Sequence, residues 1–265
     1  MGRSQSLAHI RPMTDFMNPA EFANVARSER DFWWYRGMRT ILFRVLDPYL
    51  AGRKIGRALE AGCGTGYLSY LLQKERHWPI VPMDVSWHGL RYALEMGIER
   101  PVQGDITSLP FPEGAFDLVI SMDVLTHLPH GEEQRAAREL SRVMAPGGLL
   151  AVRTSALEIL RSRHSEFVFE RQRTTRRRLM GLMTGVGVRT LRCTYANSLL
   201  LPIALAKFRL WEPLLRLPPA SGVEPAAPWL DRLLYQSLAL EASWLGAGHN
   251  LLAGQSLLFI GEKIL

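Results

Sequence analysis

The sequence predicts an α/β fold built around a doubly wound parallel sheet, and three observations support this. Short apolar runs of strand length alternate with amphipathic helical patterns along most of the chain. A glycine-rich turn joins the first of these runs to a helix, in the place where open sheets bind nucleotide-like ligands. The run beginning at Phe116 is almost continuously apolar, which is typical of a strand covered by helices on both faces.

The composition indicates a folded protein with ample material for a core. The chain has 265 residues, of which 47% are hydrophobic and 22% charged, so it suits one large domain or a domain with an insertion. Its two cysteines, Cys63 and Cys193, lack the spacing of metal ligands or of a disulfide framework. We therefore expect no metal and a cytoplasmic location. The net charge of +7 suits nucleic acid, anionic lipid, a phosphorylated substrate or a merely solvated basic surface.

The glycine-rich turn has an unusual spacing. The segment LEAGCGTGYLSYLL, residues 59–72, follows a short apolar run and leads into a helical pattern. Glu60 precedes glycines at alternate positions, whereas the dinucleotide fingerprint reads G-x-G-x-x-G. A carboxylate at the strand end would repel a pyrophosphate, but it would suit a ligand that carries an ammonium group. The turn therefore favours a cationic nucleoside ligand.

This E-x-G-x-G-x-G pattern resembles the first motif of the class I S-adenosylmethionine-dependent methyltransferases. The resemblance continues in order through residues 29–153, including E-L-x-R-V-x-x-P-G-G near residues 139–148, and returns in the final strands. It implies S-adenosyl-L-methionine as the cofactor and a Rossmann-like sheet of seven strands whose last strand is antiparallel. Cofactor contacts are then expected from Glu60, Gly62, Cys63, Gly64 and Gly66.

The next two strands supply further cofactor candidates. PIVPMDV, residues 79–85, is a short apolar strand that ends in Asp84 and Val85. An acid in this position accepts hydrogen bonds from ribose hydroxyls. By the resemblance, Asp105 in the G-D-x-x-x-L-P-F element contacts the adenine amine, and the backbone amide of Ile106 contacts a ring nitrogen.

The fourth strand and its exit, FDLVISMDVLTHL, resemble a motif that lies along the methionine part of the cofactor. Met122, Asp123 and His127 lie at the carboxyl end of this strand, where open α/β sheets place their sites. Either His127 or Asp123 could take a proton from an acceptor, if the acceptor must lose one. The alternative is that His127 only caps or packs against the following helix.

The N-terminal region is expected to form a flexible leader, residues 1–17, and a helical lid, residues 18–50. Four consecutive aromatic residues, 32–35, cannot all face one core. By the resemblance, Tyr35 would lie near the sulfonium and Arg36 would pair with the methionine carboxylate. The alternative is an amphipathic helix that simply docks on the sheet.

The remaining chain predicts a core domain with an insertion. Residues 51–196 with 255–265 would form the cofactor-binding Rossmann-like domain, and residues 197–254 would form a helical cap over the substrate cleft. The apolar and arginine-rich character of the insertion suggests a bulky, apolar or anionic small-molecule acceptor, or contact with a membrane surface. A helical pair used only for packing or dimerisation is the alternative, and the sequence leaves the oligomeric state open.

Three functions compete at this point. The first is methyl transfer to a small-molecule acceptor, a specialised metabolite, sugar or lipid-like compound, by direct displacement. The second is RNA modification through the basic segment 161–192, although no RNA-binding module or N-P-P-Y-type motif accompanies it. The third is a protein that binds the cofactor without catalysis. Nucleic acid is the less favoured partner.

Overall fold

The computed structural model describes residues 17–223 and 226–264. The predicted leader, residues 1–17, lies outside the described residues except for Met17. The strands are β1 (Ala58–Ala61), β2 (Ile80–Asp84), β3 (Val102–Gln103), β4 (Phe116–Met122), β5 (Met144–Ser155), β6 (Val188–Ala196) and β7 (Ser256–Lys263).

Helices follow most of the strands. Ranges in chain order are α1 (Pro19–Ser28), α2 (Trp33–Leu50), α3 (Tyr67–Arg76), α4 (Trp87–Glu95), α5 (Glu132–Val143), α6 (Arg163–Phe167), α7 (Arg176–Thr184), α8 (Leu201–Ala206), α9 (Glu212–Leu215) and α10 (Pro228–Gly246). A π-helical turn joins α8 to α9. Pro48 lies inside α2, which continues to Leu50, so this proline does not end the helix although it removes one backbone donor.

The seven strands form one sheet in the order β3-β2-β1-β4-β5-β7-β6. Strands β1 to β5 pair in parallel, whereas β7 is antiparallel to both β5 and β6. The predicted fold class is thereby confirmed, including its antiparallel last strand. Because β2 and β4 flank β1, the direction in which strands are added reverses beside β1, and a crevice opens at the carboxyl ends of β1 and β4.

Two apolar layers cover the sheet, one on each face. Alternate residues of the central strands divide between them, so that Val119 of β4 packs with α5 and α7 while Leu118 packs with α2 and α10. Both residues are fully buried. This double coverage explains why β4 reads as a continuous apolar run.

Helix α10 belongs to the core and does not cap the cleft. Its residues Leu238, Ala242 and Leu245 are buried in the same cluster as Leu42 and Leu46 of α2. A Cβ atom on Gly37 of α2 would lie 2.4 Å from Leu238, so glycine is what lets the two helices approach. None of the described residues in 197–254 lines the cleft cavity, so the prediction of a cap over the cleft was wrong for these residues.

No helix in the described part of the chain is both long enough and apolar enough to cross a bilayer.

Candidate cofactor-binding cleft

A cavity of about 260 Å³ lies at the crevice beside β1. The ends of β1, β2 and β4 form its floor, and helices α1 and α2 form one wall. Of the residues predicted to contact cofactor or acceptor, it is lined by Tyr35, Glu60, Gly62, Cys63, Gly64, Asp84, Val85, Asp105, Ile106, Met122, Asp123 and His127. Gly66 and Arg36 are the exceptions. Within the described residues, no cluster of His, Cys, Asp and Glu could hold a metal ion.

The glycine turn leaves its backbone open to the cavity. Gly62 has a φ of +87°, and a Cβ atom there would lie 2.1 Å from Val124, so no other residue fits. At Gly64, with a φ of +56°, an added Cβ would meet nothing within 4 Å. Gly66 faces away, since its Cβ would lie 2.7 Å from Ala93 of α4. Gly66 therefore packs the turn against the helix layer instead of contacting a ligand.

Glu60 is a buried acid without a counter-charge. Its carboxyl accepts a hydrogen bond from the Ser69 hydroxyl. Burial raises the pKa of Glu60 to about 8, an effect only partly opposed by Ser69 and reinforced by Glu29 and Asp84. A cation in the cavity would stabilise the ionised form. Cys63 beside it is also buried, and burial raises the pKa of its thiol well above the usual 9.0, so it stays protonated.

Asp84 holds the glycine turn and keeps acceptor capacity for a ligand. Its Oδ2 accepts from the Gly64 amide at 2.8 Å and its Oδ1 from the Ser86 amide at 2.8 Å. Burial raises the pKa of Asp84 to about 6, despite these backbone hydrogen bonds. Each carboxylate oxygen has a second lone pair, so the side chain can still accept from two hydroxyls. Val85 follows it in the cavity lining.

Asp105 is positioned by its own loop. Its Oδ1 accepts from both the amide and the hydroxyl of Thr107, at 2.8 Å each. This leaves Oδ2 as the acceptor for a ligand amine. Ile106 is buried and supplies an apolar surface at the same end of the cavity.

The helical wall contributes Tyr35 and Arg39, but not Arg36. Tyr35 is stacked edge-on against Trp34, with ring centroids 5.1 Å apart, and burial raises the pKa of its phenol. The Arg39 guanidinium lies 4.9 Å over the Tyr67 ring and lines the cavity. The Arg36 guanidinium instead pairs with Asp231 at 2.5 Å, on the side of α2 that faces α10. The prediction that Arg36 contacts the cofactor was therefore wrong.

Glu29, at the end of α1, is a further buried acid in the cavity wall. Its carboxylate accepts from the Thr65 hydroxyl of the glycine turn. Burial raises its pKa to about 7, although Thr65, Arg39 and Arg30 act in the opposite direction. The motifs did not indicate Glu29 or Arg39. Helical spacing did hold a signal, because Tyr35, Arg39 and Leu42 recur at i, i+4 and i+7 and share one face of α2.

At the other wall, Asp123 is engaged by a neighbouring strand. Its Oδ2 accepts from the Nε of Arg153 at 2.9 Å, and the same guanidinium lies 4.9 Å over the Trp34 ring. The backbone of Asp123 has a φ of +59°, held by its amide donating to the Arg153 carbonyl at 2.8 Å. This pairing commits the Asp123 carboxylate to Arg153. Met122 provides the adjoining apolar surface.

His127 is the better placed proton acceptor. It lines the cavity, and its Nδ1 is buried without a hydrogen-bond partner among the described residues. Burial lowers the pKa of His127 below its usual 6.5, more than the nearby acids Glu170 and Asp123 raise it. The imidazole is therefore neutral at pH 7, the form that can accept a proton. Its catalytic role stays a prediction.

The strand order and the place of the cavity at the carboxyl ends of the strands are those of the Rossmann-like methyltransferase fold, and comparison with known proteins agrees. Residues 59–152 match the family described as "Methyltransferase domain". Residues 59–152 therefore form a methyltransferase domain of the class I S-adenosylmethionine-dependent type, and S-adenosyl-L-methionine is the cofactor of this domain.

Individual relatives match mainly over this domain. Ajmaline N-methyltransferase from Rauvolfia serpentina is 26% identical over 216 residues, covering 71% of this chain and 72% of the relative. The mitochondrial arginine-hydroxylase NDUFAF5 from Rattus norvegicus is 34% identical over 111 residues, 40% of this chain and 31% of the relative. The chain spans less than half the length of the first curated relatives it matches.

Among solved structures, an S-adenosylmethionine-dependent methyltransferase from Archaeoglobus fulgidus is similar, with a TM-score of 0.55 and 14% sequence identity. The superposition covers 89% of this chain and 97% of that one. At this identity the likeness concerns the fold alone.

Proposed function

We propose that this protein transfers a methyl group from S-adenosylmethionine to an apolar small-molecule acceptor. One observation carries the proposal. A single cavity gathers an open glycine turn, two acids with remaining acceptor capacity and a buried acid that lacks a counter-charge among the described residues. These are the partners that a nucleoside carrying an ammonium group and a positively charged sulfur requires.

Each part of the cofactor has a candidate partner. Asp84 would accept from the ribose hydroxyls, and Asp105 would accept from the adenine amine. Glu60 would balance the ammonium group. Arg39 would take the carboxylate, because burial lowers the pKa of its guanidinium and an anion would offset that cost. When bound, the cofactor supplies an electrophilic methyl group on a positively charged sulfur.

His127 would then act on the acceptor. If the acceptor oxygen or nitrogen must lose a proton as its bond to the methyl carbon replaces the carbon–sulfur bond, with the sulfur leaving as a neutral thioether, the neutral imidazole of His127 would receive that proton. Trp34 and Tyr35, together with the apolar wall residues Phe22, Val25 and Leu42, would exclude water from the reacting atoms.

Three observations support a small-molecule acceptor over RNA. The wall contributed by α1 and α2 is largely apolar. Part of the basic segment 161–192 is also engaged within the fold, since four of its nine arginines form close ion pairs with acids. These pairs are Arg161 with Glu158, Arg173 with Glu170, Arg178 with Glu133 and Arg189 with Glu262. The name of the Rauvolfia relative is also that of a small-molecule methyltransferase. The two free cysteines favour a cytoplasmic location.

Calorimetric titration with S-adenosylmethionine, with NADH as the control, tests the cofactor assignment. Binding of the first alone, with micromolar affinity, is expected. Incubation of candidate acceptors with cofactor labelled on the methyl group then tests transfer. Cofactor binding without transfer to any acceptor would favour a non-catalytic role, and absence of both would overturn the proposal.

We expect His127→Gln to lower the methyl-transfer rate roughly 10²- to 10⁴-fold, the usual range for a lost general base. Cofactor affinity should change little, because the proposed cofactor contacts are elsewhere. The loss should shrink as the pH rises, since solvent hydroxide replaces the base. An unchanged rate would assign His127 a packing role only.

A further inference from the structure

Helix α10 carries two apolar stripes on opposite sides. One stripe, with Leu238, Ala242 and Leu245, is buried against α2. The other consists of Trp229, Leu233, Leu240 and Trp244, each exposing more than half of its surface. At 3.6 residues per turn these four residues fall within roughly 60° of one another and extend over about 22 Å. The outer side of α10 therefore carries an exposed apolar stripe with a tryptophan near each end.

The preceding helical stretch, residues 201–215, carries a second set of exposed apolar side chains. Ile203, Leu210, Trp211 and Leu214 each expose more than 60% of their surface. Just before this stretch, the Leu199 amide donates to the Glu241 carboxylate of α10 at 2.6 Å. We call the eight exposed side chains of the two helical stretches the apolar ridge. So many large apolar side chains exposed on one segment mark a site of interaction.

Among the described residues of 197–254, the charged side chains left without an ion pair near the apolar ridge are basic. Lys207, Arg209, Arg216 and Arg232 form no ion pair with any described residue. The described acids of residues 197–254 are engaged elsewhere. Asp231 pairs with Arg36, Glu212 lies 3.8 Å from the Arg163 guanidinium, and Glu241 is buried. The segment therefore presents tryptophan, leucine and isoleucine together with uncompensated positive charge.

We propose that the apolar ridge docks this protein on the surface of a bilayer that contains anionic lipid. Tryptophan and leucine beside lysine and arginine are the composition of helices that lie in the membrane interface. Anionic headgroups would supply the negative charge that the segment lacks, and the long basic side chains can reach them while apolar neighbours are immersed. Docking needs no spanning helix, and it goes beyond the proposed methyl transfer without depending on it.

Co-sedimentation with lipid vesicles tests this directly. The wild-type protein should sediment with vesicles of phosphatidylcholine and phosphatidylglycerol, and less with phosphatidylcholine alone. Replacing two ridge residues, Leu240→Gln with Trp244→Gln, should weaken the partition at least ~10-fold, because both side chains lose apolar contact. Added salt should weaken binding of the wild type to the anionic vesicles.

A matched control lies on α4, which has an exposed tryptophan and an exposed leucine outside the ridge. Trp87→Gln with Leu94→Gln should sediment like the wild type. The proposal is overturned if the wild type stays in the supernatant, or if the ridge variant sediments equally well. A dimer in light scattering that the ridge variant dissociates, with no vesicle binding, would assign the ridge to a second copy instead. Cofactor titration without vesicles tests the proposed function separately.

Discussion

The cleft and the segment between β6 and β7 differ in which side chains are left without a partner. In the cleft, Glu60, Glu29 and Asp84 are buried without an ion pair to any described residue, and burial raises the pKa of each. In the inserted segment, the acid Asp231 is paired with arginine, while exposed apolar side chains and four basic residues have no partner among the described residues. A cationic ligand would therefore complement the cleft, and an apolar surface with negative charge would complement the inserted segment.

This difference indicates which parts of the molecule would gain free energy from binding a ligand or a surface. A buried acid whose charge is not balanced costs free energy in the free protein, and a cationic ligand recovers part of that cost. An exposed apolar ridge likewise recovers free energy only when something covers it. Both regions would therefore be stabilised by a binding partner. The cleft is a cavity that suits a small ligand, whereas the inserted segment presents an exposed surface.

The largest expected effect comes from an acid in the cleft. Asp84→Ala should weaken cofactor binding roughly 10²- to 10⁴-fold, because two charge-assisted hydrogen bonds are worth about 3–6 kcal/mol. Calorimetric titration measures the change, with circular dichroism as a check that the fold survives.

The matched acid in the inserted segment is Asp231. Asp231→Ala removes the acceptor for the Trp33 amide and for Arg36, so the melting temperature should fall. Cofactor affinity should stay within about twofold, since none of these groups lines the cavity. If both variants weakened the cofactor equally, the separation of the two regions would fail.

Within α10, the two apolar stripes should differ in their effect on folding. Leu238→Ala should lower the free energy of unfolding by about 2–5 kcal/mol, the cost of a cavity in a packed core. Leu240→Ala should change it by no more than about 0.5 kcal/mol. Chemical denaturation of the two variants measures this, and equal losses would mean that the outer stripe is covered in the isolated protein.

Substitution of the two arginines on α2 should have a smaller and unequal effect on cofactor affinity. Arg39→Met should weaken cofactor binding roughly 10- to 100-fold through the loss of a hydrogen bond to a carboxylate. Arg36→Met should leave it within about twofold, because Arg36 faces α10. The reverse result would restore Arg36 as the carboxylate partner and would place Arg39 in a structural role.

Much of the fold and of the cleft could be predicted, because their signals are local. The position of Asp84 follows from being the last residue of a buried parallel strand, and the glycine turn must accommodate a positive φ at Gly62. Each such feature requires only the strand, the turn and the known handedness of the crossover. Tertiary packing was not needed to find them.

The remaining assignments depend on which face of a helix meets which neighbour. Arg36 and Arg39 are one turn apart on α2. Arg36 pairs with Asp231 because α10 docks on that side of the helix, and this docking cannot be inferred from the spacing of the two arginines. The same docking buries one side of α10, which belongs to the predicted cap, in the core. The partners of α10 are distant in sequence, so no local pattern could have assigned them.

The last prediction concerns the proton on Glu60. At pH 7, below its pKa of about 8, the carboxyl of the free protein holds a proton. The ammonium group of the cofactor favours the ionised form, so binding should release a proton and affinity should rise with pH up to about 8. Calorimetry in phosphate and in Tris buffer reports this release, since the two buffers have different ionisation enthalpies.

Glu60→Gln keeps the shape and the contact with Ser69 but carries no proton to lose. The variant should release far fewer protons on binding the cofactor than the wild type does, with Glu29 as the remaining source.

Glu60 also predicts how stability depends on pH without the cofactor. The pKa of Glu60 is near the usual 4.5 in the unfolded chain and about 8 in the folded chain. The free energy of unfolding should therefore decline as the pH rises between these values, and less so in the variant. Equal decline in both proteins would mean that Glu60 is already ionised in the free cleft.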